Sequence, residues 1–78
     1  LPNATTANTA HGIPSFTHAW IASPSFATNG SVWPSLPHTD TTTTDIIEVR
    51  ISPTNVIIKT AADYSTYTIS YVTVEYIV

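Results

Sequence analysis

The side chains that could do chemistry in this chain are three histidines, five carboxylates and eight aromatic rings. His11, His18 and His38 are the imidazoles. A zinc site needs three or four ligands converging on one point. His11 and His18 are separated by a turn and could meet across a hairpin. His38-Thr39-Asp40 sets an imidazole and a carboxylate on one side of an extended segment. That spacing is loose, so no metal is expected. The plainer role for His11 is a backbone bond at a turn, and for His38 a place in an exposed loop. Serines abound, yet none sits in a GxSxG elbow and no Ser–His–Asp set is specified. Asp40, Asp45 and Asp63 lie at loops or strand edges, where aspartate caps turns. Glycoside hydrolysis would need two carboxyls about 5–10 Å apart. The chain therefore reads as a non-enzyme, with no cofactor.

The aromatic residues point elsewhere. A ring flanked by amide, hydroxyl and carboxylate groups is the usual way to hold a sugar, whose apolar face stacks while its hydroxyls find partners. Trp33, His38 and Asp40 form one such candidate patch, in a Pro-rich loop beside Leu36. Asp63, Tyr64 and Tyr67 form another, in the loop before the last strand. Either set serves equally as a subunit contact, because Trp and Tyr are enriched there too. Trp20 falls within a strand pattern and is expected in the core. The sequons Asn3-Ala4-Thr5 and Asn29-Gly30-Ser31 matter only in a eukaryotic secretory setting.

Composition narrows the class. Charged residues make up 9% of the chain, against about 25% in an average soluble domain. Lys59 and Arg50 are the only Lys or Arg side chains and the net charge is −3, so the basic footprint of a nucleic-acid binder is missing. Solubility rests on Thr, Ser and Asn, which suits an extracellular or virion surface. No apolar run reaches the 18 residues of a membrane-spanning helix, so no insertion is expected. The chain also opens without a basic, hydrophobic leader. With 78 residues and no cysteine, a single domain would have a thin core and no disulfides to staple it. Oligomerisation, or attachment to a larger body, is the expected supplement.

The elements that must position these groups read as strands. No window carries helical periodicity, Thr, Val, Ile and Tyr are abundant, and prolines break the chain often. Strands are expected near 4–10 and 16–22, with a turn at His11-Gly12, Ser23-Pro24-Ser25 is expected to break the chain, and 26–32 holds the tight-turn pair Asn29-Gly30. The segment 33–44 is expected as a long loop. In DIIEVRIS, Ile47, Val49 and Ile51 face one way and Glu48 and Arg50 the other. Ser52-Pro53-Thr54-Asn55 makes a turn, VIIKT returns, and TISYVTVEYIV is the last strand. Its bulky residues change phase, from Ile69 and Tyr71 to Val72, Val74 and Tyr76. A β-bulge at Tyr71-Val72 would exchange the faces; a strand buried on both faces would need none.

These segments, in the order LPNATTANTAHGI, AWI, NGSVWPSLP and DIIEVRISPTNVIIKTAADYSTYTISYVTVEY, resemble a small module at the ends of tailed-bacteriophage tail fibres and related virion appendages. The resemblance rests on His11-Gly12-Ile13, on Trp20-Ile21, and on Val56, Ile58, Lys59, Thr60, Asp63, Ser65 and Tyr67 around the penultimate loop. It continues through Tyr71, Val72, Thr73 and Tyr76. Ala61-Ala62 stands where glycine is common, and Tyr64 where a basic residue is common. The resemblance covers nearly the whole chain and its motifs are structural. It implies one all-β module over residues 1–78, a knob-like antiparallel β-sandwich that assembles as a homotrimer at the C-terminal tip of a longer fibre. It also implies a place on the virion exterior beside other virion proteins. Such tips usually bind a receptor, here host cell-surface polysaccharide; related modules on head fibres, capsid decorations or trimerisation caps do not adhere.

Overall fold

The computed structural model describes residues 1–38 and 46–78. Among these residues there is no helix, and five strands form two antiparallel sheets. The strands are β1 (Thr6–Ala10), β2 (His18–Thr28), β3 (Ile47–Ile51), β4 (Asn55–Thr60) and β5 (Ile69–Ile77). The first sheet has the order β1-β4-β3, and the second pairs β2 with β5. The chain is thus all-β, as the residue types imply.

The first sheet obeys simple alternation. Ile47, Val49 and Ile58 turn inward, with Ile47 fully buried. Glu48 lies opposite Lys59 on the other face, beside Arg50, and Arg50 Nε meets Glu48 Oε1 at 3.0 Å. A half-buried antiparallel sheet gives this clean in/out pattern. The β3–β4 turn is closed by Ser52. Its N–H donates to Asn55 O at 2.8 Å, and its hydroxyl oxygen accepts from Asn55 N–H at 2.9 Å.

His11 locks the first strand onto that turn. Its Nδ1 accepts from Ile13 N–H at 3.0 Å, so Nε2 carries the proton and donates to Ser52 O at 3.0 Å. Gly12, at φ 67°, supplies the left-handed residue between them. The backbone role read for His11 holds, and its ring packs against Phe16 rather than another histidine.

The second sheet departs from expectation. The break expected at Ser23-Pro24-Ser25 does not end the strand, because one strand runs from His18 to Thr28 straight through it. Ala22 pairs with Thr73 and Phe26 with Tyr71, so Ser23, Pro24 and Ser25 stand against Val72 alone. The irregularity predicted at Tyr71-Val72 therefore lies opposite it, in β2, and β5 itself is regular. The reason is chemical: Ser25 replaces the missing ladder. Its buried hydroxyl donates to Ala22 O at 2.7 Å and accepts from Thr73 N–H at 2.9 Å. The Ser23–Pro24 and Leu36–Pro37 peptide bonds are cis. Asn29-Gly30 ends the strand rather than making a hairpin. Asn29 Oδ1 accepts from Ser31 N–H and Val32 N–H at 2.9 and 3.0 Å, and Gly30 takes φ 95°.

The sheets meet in a small core of Ala27, Leu36, Ile47 and Tyr64, with Leu1, Val49, Ile58, Ala62, Tyr67 and Val72 packed around it. A domain of this size has only roughly 4–12 kcal/mol of stability. Two outcomes follow. Ile47→Ala empties the centre of the core and should cost about 2–5 kcal/mol, a large part of that total. Ser25→Ala leaves one N–H and one C=O without their partner and should cost about 1–3 kcal/mol. Urea midpoints, with the m-value checked for constancy, measure both.

Candidate functional site

The loop before β5 is tied down at every candidate residue. Residues 1–4 run beside it: Ala4 N–H donates to Ala62 O at 2.9 Å, Tyr64 N–H to Pro2 O at 3.1 Å, and Asn3 pairs with Asp63. The N-terminal ammonium donates to Tyr67 O at 2.7 Å. Asp63 is exposed, but Oδ1 accepts from Ser65 N–H at 2.9 Å, which caps the turn. Bonding from the Ser65 hydroxyl, and then from its N–H, holds that carboxyl below its ordinary value of 3.8. Tyr64, expected at an exposed loop tip, is 9% exposed and belongs to the core. Its ring lies 5.2 Å from that of Tyr67 at 60°. A local bond, Tyr67 N–H to Tyr64 O at 2.9 Å, closes the loop, and residues 1–4 alongside hold it against the sheets. A flat platform for a sugar is not formed by this set.

The other loop is more open. Trp33 is 61% exposed. The backbone just after it is fixed, since Ala27 N–H donates to Pro34 O at 3.1 Å and Leu36 N–H to Ser25 O at 2.8 Å. His38 is half-buried rather than exposed, and it exchanges two backbone bonds with Ile47, at 3.0 and 2.9 Å. Asp40 lies outside the described residues, as does the rest of the expected loop over 39–44. Of the five candidate residues, Trp33 and Asp63 are thus the two that the structure exposes, on different loops. Among the described residues no three His, Asp or Glu side chains gather.

A further aromatic surface lies where the sequence reading did not look. In β2–β5, cross-strand pairing puts Trp20 with Glu75, Phe26 with Tyr71, and Thr28 with Ile69 on one outer face. Phe26 and Tyr71 stack at 5.8 Å and 21°. Trp20, expected in the core, is 43% exposed there. The signal was present in the phase of the last strand. Ile69, Tyr71 and Ile77 face out while Val72 and Val74 face in, so both apolar sets are used by one regular strand. On the inner side residues of both sheets, Val56, Ile58, Val72 and Val74 among them, line an open groove of about 360 Å³ together with His11 and Ile13.

Comparison with protein-family models, with curated proteins and with solved structures gave no match.

The Asp63 turn has a pH signature. A carboxyl whose folded value is lowered stabilises the fold above its unfolded value of 3.8, and that contribution disappears as pH falls through the lower folded value. Asp63→Asn should therefore reduce the loss of stability on acidification below about pH 4, leaving its slope unchanged between pH 5 and 7. Urea titrations across pH 2–7 read the difference.

Proposed function

We propose that this chain is an assembly module of a bacteriophage virion appendage, a tail-fibre or receptor-binding tip that forms a β-sandwich homotrimer on the virion exterior. The observation that carries the reading is the imbalance between core and surface. Among the described residues four apolar side chains are buried, whereas Trp20, Val32, Trp33, Ile69, Tyr71, Tyr76, Ile77 and Val78 stay exposed. A chain without cysteine gains the missing burial from neighbours. The low charge and Thr-rich surface support the exterior location, and the motif order quoted above supports the appendage class.

Contact with host cell-surface polysaccharide rests on Trp33, a large ring held out from a fixed loop. A non-adhesive head fibre, capsid decoration or trimerisation cap is the second reading. It is favoured by the way Asp63, Tyr64 and Tyr67 are consumed by the fold. Two measurements separate the cases. Light scattering at micromolar concentration should give the mass of three chains, and a stable folded monomer would remove the assembly reading. Glycan arrays of host-wall polysaccharide should bind the native chain, with Trp33→Ala weakening binding at least tenfold. Absence of binding to the native array leaves the non-adhesive module standing.

A further inference from the structure

We infer that the outer face of the β2–β5 sheet, built on Trp20, Tyr71, Ile69 and Ile77, is the surface through which copies of this chain meet. This deepens the assembly reading above and rests on it.

The two sheets treat their outer faces differently. On β1-β4-β3 that face carries Glu48, Arg50, Lys59, Thr6 and Asn8, with Ile57 among them half-buried. On β2–β5 it carries Trp20, Phe26, Tyr71, Ile69 and Ile77, with Glu75 and His18 as its only ionisable groups besides the Tyr71 phenol. Apolar residues on both faces are the mark of a sheet covered on both sides. The inner side of β5 already faces the first sheet through Val72 and Val74. On the outer side Thr28 is buried and Phe26 half-buried, but Trp20 is 43%, Ile69 61%, Tyr71 55% and Ile77 52% exposed.

Area argues for a second copy as the cover. These four residues expose on the order of 400 Å², mostly apolar, within the patch range that marks interaction sites. Interfaces are about 56–65% apolar, so such a patch corresponds to roughly 650 Å² per copy. That falls in the ~600–1,000 Å² per partner of a specific protein interface. Trp and Tyr are also the residues enriched at such contacts. Glu75 and His18 lie diagonally across the ladder, since Trp20 pairs with Glu75 and His18 with Ile77. β5 pairs only with β2 among the described residues, and its other edge leaves backbone groups open to a neighbour.

The test uses Tyr71→Lys and Ile69→Lys, whose side chains are exposed in the single chain and so spare its core. Lys59→Glu, on the charged face, is the control. Light scattering should show the native and Lys59→Glu chains as oligomers, with both β5 variants at the mass of one chain or at least 100-fold weaker in association. Circular dichroism confirms that the variants stay folded. An oligomer of native mass in the folded variants overturns the assignment of this face while leaving assembly intact. A monomeric native chain overturns the assembly reading itself. If the variants do not fold, a Trp33→Phe chain leaves Trp20 as the sole reporter. Its acrylamide quenching should rise severalfold on dilution to monomer; quenching equal in both states overturns the proposal. Shielding of Trp20 by added polysaccharide, with no dependence on chain concentration, overturns it too.

Discussion

Burial of the Ile47 side chain is the contact on which the remaining structure leans. Ile47 pairs with Thr60 inside the first sheet and with His38 at its edge. Its side chain packs in one cluster with Ala27 of β2, Leu36 of the proline loop and Tyr64 of the loop before β5. Four separate stretches of chain are thereby drawn to one point. None of them has another large apolar anchor that is fully buried. The fold is wide relative to its core, and the groove between β5 and the first sheet shows where the core runs out.

The parts legible in the sequence are those governed by local alternation. DIIEVRIS placed Ile47 and Val49 inward and Glu48 and Arg50 outward because period-two patterning is set by the pleat itself. The clamp role of His11 was legible for a similar reason, since an imidazole next to a glycine turn finds backbone partners. What escaped was decided at longer range. Ser25 is an ordinary loop serine by pattern, and only the approach of Thr73, 48 residues away, makes its hydroxyl part of a ladder. Tyr64 reads as a loop residue; residues 1–4 laid alongside it help fold the loop inward. Trp20 reads as core because strand tryptophans usually are, yet this strand has a second face that its own chain leaves uncovered.

The candidate site follows the same division. Trp33 stays exposed beside a loop that is pinned along the edge of β2, where Ser35 pairs with Phe26 and Leu36 enters the core. Asp63 kept its expected capping role because aspartate bonding to the N–H two residues on is a local matter. The aromatic face of β2–β5 needed the register between strands that are far apart in sequence. In that register Phe26 and Tyr71 become a stacked pair, and one nine-residue strand serves the interior and the outside at once.

The Ser-Pro-Ser interruption sets a parity rule on chain length. β2 spends three residues where β5 spends one, an even surplus, so Trp20 and Phe26 still look out of the same side. Losing one residue from this stretch would turn Phe26 toward the groove and push the fully buried Ala27 into the open. Losing two would merely straighten the strand. Within this strand, then, only a change of length by two residues keeps Phe26 and Ala27 on the faces they occupy.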